Sequence, residues 1–239
     1  GIKAKSWLSW QIPIMTKGEK SNSRIINIGT EKINNYLKSG GVAVVPGFQG
    51  VSENYELETI GRGGSDATAV AIAKIFDTTS CEIYTDVDGV FSSDPKKIPV
   101  AKKIDKISYE EMLEMASLGS KVLHPRSVEL AMKYGITVHV RSSFVNKDGT
   151  LVVKEETKLE EEVVTGIASS ESDAKITLKG IPDKPGVAAK IFGLLANADI
   201  NVDMIVQNVT DDGRFASITF TVPLLDASDS VSVIKKSNI

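Results

Sequence analysis

Strand and helix signals alternate along the first 150 residues or so, and this alternation limits the folds open to the chain. Short β-branched runs typical of strands occur at 24–28, 42–45, 82–85 and 136–140. Residues placed to begin helices lie between them: Thr30, Ser65, the Ser108/Glu111 pair and Pro125. Strand–helix–strand alternation with apolar strands predicts an α/β domain on a largely parallel sheet, covered by helices on both faces.

The pattern changes after residue 154. Residues 154–162 (KEETKLEEE) are charged and nearly devoid of large apolar groups, which is typical of a connector or a solvated helix. Beyond them the chain predicts strands at 174–179, 200–209 and 215–222, helices after 183–186 and over 226–236, and a hairpin turn at 211–213. This β-α-β-β-α order is one strand short of a ferredoxin-like α+β unit. We therefore predict two domains, 1–155 and 156–239.

Composition argues against several classes of protein. The 239 residues carry a net charge of −3 with a pI near 5.6 and no basic stripe, so we expect no nucleic-acid binding. No apolar run approaches the roughly 18 residues of a spanning helix and no signal peptide is visible, so we expect no membrane association and a cytoplasmic location. Cys81 heads an apolar run and is read as a buried reduced thiol. His124 and His139 have no partner at metal-ligand spacing, so no metal site is predicted.

Two glycine-bearing segments carry the candidate chemistry, GRGGSD at 61–66 and TDVDGVFSSDP at 85–95. Both set small residues beside carboxylates and hydroxyls, which lets a backbone approach a phosphorylated ligand closely. The first precedes a helix, whose N–H groups favour an anion, and Arg62 suits a carboxylate. Because its spacing matches neither the dinucleotide fingerprint nor a P-loop, a plain turn before a capped helix stays open.

The second segment ends a strand at Thr85 and Asp86, where ligands of open α/β sheets collect. Its aspartates, Asp86, Asp88 and Asp94, are either metal ligands or turn-forming residues. Lys121 follows a helix end and is either a functional cation or a surface group that complements the helix dipole. Together the two segments point to phosphoryl transfer.

Four segments, in this order, resemble the aspartokinases of the amino acid kinase superfamily: Gly47-Phe48, GRGGSDATAVAIA from Gly61, TDVDGVFSSDPK from Thr85, and MASLGSKVLHP from Met115. The tail, with GIPDKPG from Gly180 and NVDMIVQN from Asn201, resembles the ACT regulatory domain of that family. The resemblance implies a three-layer αβα kinase domain followed by a ferredoxin-like ACT domain. It also implies phosphorylation of the L-aspartate side chain by MgATP, the first step toward lysine, threonine, methionine and diaminopimelate.

The resemblance assigns roles to individual residues. The catalytic residues would be Asp66, which orients lysines, and Lys121, which contacts the phosphates. The substrate would be held by Phe48, Arg62, Gly63, Gly64 and Ser65. The nucleotide would be held by Thr85, Asp86, Phe91, Ser92, Ser93, Asp94, Pro95, Lys96 and Lys121. Mg²⁺ would be held mainly by the nucleotide phosphates. No general base is needed, since the aspartate carboxylate is already ionised at neutral pH. Many relatives have Tyr at Phe91 and Arg at Lys96.

Two family segments have no counterpart in the sequence. The N-terminal Lys-Phe-Gly-Gly-Thr-Ser segment, which supplies another catalytic lysine, is not found before Gly1, and the second ACT unit would lie beyond Ile239. We therefore expect both domains to be incomplete and the 239-residue chain alone to lack kinase activity.

By the same resemblance the ACT domain would bind lysine or threonine, or both, and would pair to form a homodimer. The effector residues would be Asp183, Val187, Ala188, Asn201, Val202, Asp203 and Gln207. From the residues alone, Asp183 could simply cap a helix and Gly186 permit a turn. Two other functions stay open: a non-catalytic regulatory subunit, disfavoured by the intact GRGGSD and TDVDG segments, and a related kinase such as glutamate 5-kinase, disfavoured by the ACT tail and Arg62.

Overall fold

The computed structural model describes residues 1–18, 23–155, 164–209 and 214–237, and the chain divides into two compact units, Gly1–Ser169 and Ser170–Ile239. The hairpin turn predicted at 211–213 and most of the charged connector lie outside the described residues. No helix in the described ranges is long and apolar enough to cross a bilayer.

The first unit is a mixed α/β structure. Its strands are β1 Ala4–Ser6, β2 Ile14–Lys17, β3 Arg24–Ile28, β4 Val42–Val44, β5 Gln49–Val51, β6 Leu57–Thr59, β7 Ser80–Thr85, β8 Lys106–Ser108, β9 Thr137–Ser142 and β10 Thr150–Val153. Its helices are α1 Glu31–Lys38, α2 Gly64–Ile75, α3 Tyr109–Ser117 and α4 Pro125–Tyr134.

The sheets are mixed: four of the seven strand pairs in the described part of the first unit are parallel, so the largely parallel arrangement predicted from the sequence holds only in part. One sheet has the order β7-β9-β10-β8, with β7/β9 and β10/β8 parallel but β9/β10 antiparallel. Another has the order β3-β2-β5-β6, in which β2/β3 and β5/β6 are antiparallel. Strands β1 and β4 pair in parallel. A short loop joins β9 to β10, and a short loop can only bring the chain back antiparallel. A parallel pair would need a longer crossover connection.

The main core of the first unit lies between the β7-β9-β10-β8 sheet and helices α2, α3 and α4. Met112 of α3, Val128 of α4 and Val140 of β9 are fully or almost fully buried there. Strand β9 alternates buried and half-buried residues, and the Val138 and Val140 side chains of its buried set face these helices.

Helix signals in the sequence were accurate at α3 and α4. Ser108 and Glu111 form the predicted capping box, and α4 begins at Pro125 and ends before Gly135. The prediction that Ser65 caps α2 is wrong: Gly63 is the N-cap, and Ser65 is the second residue of the helix. Gly63 takes this place because its φ of +68° is a left-handed conformation that a serine adopts only with strain.

The second unit has the predicted β-α-β-β-α order. Its elements are β11 Asp173–Pro182, α5 Val187–Asn197, β12 Asp203–Val209, β13 Phe215–Pro223, a 3₁₀ turn Leu224–Asp226 and α6 Ala227–Lys236. The sheet order is β11-β13-β12, with β13 antiparallel to both neighbours. Strand β12 begins three residues later than predicted, and Ile200, which precedes it, is buried in the core with Ile191, Leu195 and Phe220.

Candidate functional site

Residues 61–66, called here the glycine loop, lead directly into helix α2. Gly63 is the left-handed N-cap, and the loop closes through a hydrogen bond from the Gly64 N–H to the Gly61 carbonyl at 3.0 Å. Helix α2 carries Asp66 in its first turn, where an acidic group interacts favourably with the helix dipole. The loop therefore presents a helix N-terminus with Arg62 exposed beside it.

The segment Gly47-Phe48 packs against this loop. A Cβ added to Gly47 would lie 2.8 Å from Ser65 Cα, and one added to Gly64 would lie 3.2 Å from Phe48 Cα. Phe48 itself has a φ of +69° and an exposed side chain, and its carbonyl accepts a hydrogen bond from the Ile60 N–H at 2.9 Å. A strained backbone at a bulky residue is characteristic of functional sites. The structure thus brings two of the quoted segments together.

His124, in the MASLGSKVLHP segment, packs against the same loop. A Cβ on Gly63 would lie only 2.2 Å from the Cβ and Cγ atoms of His124, so the imidazole side chain occupies the space that glycine leaves. His124 is also the N-cap of α4, and its Nδ1 accepts a hydrogen bond from the Arg126 N–H at 3.3 Å.

Arg126 was not among the site residues predicted from the sequence, yet it supports the glycine loop through hydrogen bonds to main-chain carbonyls. Its guanidinium donates to the carbonyls of Ile60 at 2.6 Å and Ser23 at 2.8 Å. Burial lowers its pKa, and the nearby charge of Arg24 lowers it further. The sequence signal was its place directly after the HP pair, but nothing there indicates which carbonyls it binds.

Asp66 is half-buried, and its carboxyl interacts electrostatically with His124 and with Cys81. Burial raises the pKa of the Asp66 carboxyl, while a hydrogen bond from the Ser65 hydroxyl and the charge of His124 oppose that rise. Burial, the Asp66 carboxylate and Glu82 together raise the pKa of the Cys81 thiol from 9.0 to about 11. Cys81 is half-buried rather than buried as predicted, and its raised pKa keeps it a protonated, weakly reactive thiol at neutral pH.

Alkylation of Cys81 reports on Asp66. The thiolate fraction falls tenfold for each pH unit below the pKa, so iodoacetamide at pH 8 should label the folded chain about 100-fold more slowly than the urea-unfolded chain. Asp66→Asn should accelerate labelling of the folded chain, because it removes one of the charges that oppose ionisation. Asp77→Asn, at the other end of α2, is the control and should label as the wild type does. Equal rates for both variants would contradict the influence of the Asp66 charge on the Cys81 pKa.

Residues 85–96, called here the nucleotide turn after the role predicted for them, begin at the last residue of β7. The Thr85 hydroxyl donates to Asp86 Oδ1 at 3.2 Å, and the Thr85 carbonyl accepts from the Ser143 N–H at 2.8 Å. The fully buried Thr150 hydroxyl accepts from the Val90 N–H at 2.8 Å and donates to the Ile104 carbonyl at 2.6 Å. Thr150 was missed because no local pattern links it to a turn sixty positions earlier.

The later part of the nucleotide turn is organised by its own hydrogen bonds. The Ser92 N–H donates to the Lys102 carbonyl at 2.8 Å. The Ser92 Oγ accepts from the Lys102 N–H at 3.1 Å. Asp94 Oδ1 accepts from the Lys96 N–H at 2.9 Å, which gives Asp94 a turn-forming role. Phe91 and Ser93 are half-buried, whereas Pro95 and Lys96 are exposed.

Two exposed cations stand at these segments. Arg62 on the glycine loop and Lys121 between α3 and α4 make no hydrogen bond or ion pair with any residue in the described part of the chain. Both are therefore available to an anionic ligand. That the glycine loop, Lys121 and the nucleotide turn line one cleft stays a prediction.

The first unit also contains a cavity of about 640 Å³ between β3, α2 and α4. His124 and Arg126 line it, but the catalytic, substrate and nucleotide residues predicted from the sequence do not. Within the described ranges, no group of three His, Cys, Asp or Glu side chains is arranged to hold a metal ion.

The second unit has a cavity of about 410 Å³ at the start of α5. Four of the predicted effector residues line it: Asp183, Val187, Ala188 and Gln207. Gln207 Nε2 donates to Asp183 Oδ1 at 3.1 Å. Asn201, Val202 and Asp203 are not in the lining; Val202 packs toward the core, and the Asp203 carbonyl accepts from the Thr221 hydroxyl at 2.9 Å.

Comparison with known proteins gives a consistent result. Residues 1–142 match the amino acid kinase family and residues 176–236 match the ACT domain. The chain is 49% identical over 223 residues to an aspartate kinase of Pseudomonas fluorescens, covering 93% of this chain and 54% of that protein. It is 45% identical over 244 residues to an aspartokinase of Corynebacterium glutamicum, covering 100% of this chain and 58% of that protein. The chain thus spans about half the length of the curated relatives it matches.

Solved structures point the same way. A crystal structure of E. coli aspartokinase III in complex with lysine and aspartate aligns with a TM-score of 0.72 and 28% identity, covering 92% of this chain and 49% of that one. The same enzyme with aspartate and ADP aligns with a TM-score of 0.67 and 26% identity, covering 93% and 49%.

Proposed function

The chain belongs to the amino acid kinase family, and from this membership we propose that it is an aspartokinase, which transfers the γ-phosphoryl group of ATP to the side-chain carboxylate of L-aspartate. The observation that carries the proposal is the glycine loop: a helix N-terminus held between Phe48 and His124, with the free guanidinium of Arg62 exposed beside it. The names of the similar proteins support the same activity.

The proposed reaction needs positioning and charge neutralisation more than proton transfer. A carboxylate oxygen of aspartate forms a bond to the γ-phosphorus as the bond to the β–γ bridging oxygen breaks, and ADP leaves. Arg62 would hold a carboxylate of the substrate, and the N–H groups at the start of α2 would face negative charge. Lys121 would neutralise the phosphates. The product is 4-phospho-L-aspartate, with no proton released from the acceptor at neutral pH.

Mg²⁺ would bind at this site together with the nucleotide. Mg²⁺ is commonly bound by one or two carboxylates together with substrate phosphates. The exposed carboxylate of Asp86, at the end of β7, could supply such a ligand. When bound, the ion would neutralise charge on the phosphates.

The test is an assay of the intact protein with MgATP and L-aspartate, in which hydroxylamine traps the acyl phosphate as a hydroxamate. Hydroxamate that forms with L-aspartate but not with L-glutamate supports the proposal. Equal or greater product with L-glutamate would indicate the related glutamate kinase activity. Absence of product with both acceptors would contradict an aspartokinase.

Feedback control is the second part of the proposal, with lysine or threonine, or both, as the effector. Asp183, on the wall of the second unit's cavity, would bind the ammonium group of the amino acid. A homodimer through the ACT units is proposed with it, supported by the exposed apolar side chains of Met204, Ile205 and Val209 on β12.

Asp183→Ala should relieve this inhibition. We expect the effector concentration for half-inhibition to rise about tenfold or more, because hydrogen bonds to charged groups contribute roughly 1.5–3 kcal/mol. Activity without effector should stay within about twofold of the wild type. Asp229→Ala, an exposed change on α6, is the control. The measurement is a titration of activity with each amino acid, and unchanged inhibition in Asp183→Ala would count against the site.

A further inference from the structure

The segment just before the second unit is fastened to the first unit at points that adjoin the candidate site. Thr165, Gly166 and Ile167 belong to the first unit, and the chain enters the second unit at Ser170. All three lack regular secondary structure, and the Ile167 side chain is 67% exposed. Burial of side chains therefore does not explain why Ile167 keeps its position, and its backbone contacts must do so.

One of these contacts reaches the nucleotide turn. The Ile167 N–H donates to the carbonyl of Ser92 at 2.8 Å. Ser92 uses its own N–H and Oγ to pair with Lys102, so its main chain is held on both sides. A displacement of Ile167 would therefore act directly on the strand-like pairing that shapes residues 91–96.

The other contacts reach helix α3, which leads to the loop that carries Lys121. The Thr165 hydroxyl donates to Oε1 of Glu111, and Oε2 of the same carboxylate accepts from the N–H of Ser108 at 2.9 Å in the capping box. Gly166 fits closely between two groups: an added Cβ would lie 3.1 Å from Met115 Cε and 3.2 Å from the Ser92 carbonyl oxygen. The three residues thus bridge α3 and the nucleotide turn.

We propose that residues 165–167 form a latch through which effector binding in the ACT unit changes the nucleotide turn and α3, and that Thr165 is a positioning residue of this latch. The proposal rests on the proposed function, because it needs a kinase site to be regulated. Covalent continuity carries the signal: a change in the second unit pulls or releases a segment whose hydrogen bonds end on Ser92 and Glu111. Neither Thr165 nor Ile167 touches the reacting groups in this scheme.

The activity test compares Thr165→Val with Thr165→Ser in the intact protein, titrated with lysine and with threonine. Coupling between sites commonly amounts to about 5–150-fold in affinity. We therefore expect Thr165→Val to raise the half-inhibitory effector concentration at least about fivefold, with uninhibited kcat within about twofold. Thr165→Ser, which keeps the hydroxyl, should restore wild-type sensitivity. Wild-type sensitivity in Thr165→Val overturns the latch.

Thr78→Val is the matched control, because it also removes a threonine hydroxyl that donates a hydrogen bond, in this case to the Ala73 carbonyl at the far end of α2. It should leave effector sensitivity unchanged. Equal loss of sensitivity in Thr78→Val and Thr165→Val would mean general destabilisation and would overturn the proposal. A wild type that forms no hydroxamate would instead count against the aspartokinase activity.

A second readout does not depend on catalysis. Amide hydrogen exchange of segments 164–169 and 90–103 is measured with and without lysine or threonine. We expect exchange in both segments to change on effector addition in the wild type and to stay constant in Thr165→Val. Exchange in 90–103 that ignores both amino acids in the wild type overturns the latch, whatever the activity.

Discussion

Replacing Gly63 by alanine is expected to lower aspartokinase activity in the intact protein about 100-fold or more, since misplacement of a site by about 1 Å can cost that much. The new methyl group would meet the His124 side chain at 2.2 Å, at its Cβ and Cγ atoms. These atoms lie close to the backbone, so His124 and the start of α4 must move with them. The left-handed φ of +68° adds strain of roughly 1–2 kcal/mol for any L-residue.

Gly135→Ala separates the two causes. Gly135 has nearly the same φ, +66°, at the end of α4, but a Cβ there meets nothing within 4 Å. The Gly135→Ala variant should therefore unfold at a lower temperature because of the same backbone strain, yet keep nearly full activity. The measurements are kcat/KM for aspartate and the free energy of unfolding of each variant. Similar activity in the two variants would show that the fit of His124 against the glycine loop does not matter for function.

Replacing Arg62 by alanine is expected to reduce kcat/KM for L-aspartate about 100-fold, mainly through a higher KM for aspartate. The guanidinium has no partner among the residues that the structure describes, so its removal breaks no contact within the chain. A charge-assisted bidentate contact contributes roughly 1.5–3 kcal/mol, which corresponds to about 10–150-fold. Arg62→Lys should recover only part of the loss, because a lysine cannot form the two parallel hydrogen bonds.

Lys32→Ala, an exposed cation on α1, is the control for a general change in charge and should leave both KM values unchanged. The KM for ATP should also change little in Arg62→Ala if the residue serves the amino-acid substrate. A large rise in the KM for ATP with an unchanged KM for aspartate would reassign Arg62 to the nucleotide. Unfolding midpoints should match the wild type, because the side chain is exposed.

Helix α3 shows how much of the fold local sequence can predict. The Ser108/Glu111 capping box and the apolar face through Met112 follow from residues within one turn of each other, and the structure has both. The same holds for α4, between Pro125 and Gly135. These signals are local because each depends on hydrogen bonds between near neighbours in the chain.

Predictions failed where distant contacts decide the conformation. Ser65 is an ordinary capping residue, yet Gly63 takes the cap because the loop must turn against His124. The antiparallel pairing of β9 with β10 depends on how the chain returns after Ser142. Such choices are made by packing across the unit, and local propensity does not record them.

The sequence predicted the order of the GRGGSD segment, the TDVDG segment and the lysine-bearing loop, and it predicted the βαββα tail. It could do so because glycine placement, capping and apolar periodicity act over a few residues. The tertiary structure alone decided that Arg126 binds the Ile60 carbonyl, that Thr150 fixes Val90, and that Thr165 and Ile167 reach Glu111 and Ser92. Each of these hydrogen bonds joins residues about fifty or more positions apart. Only the packed chain can bring such groups together, because burial of the apolar core positions the elements on which their partners lie.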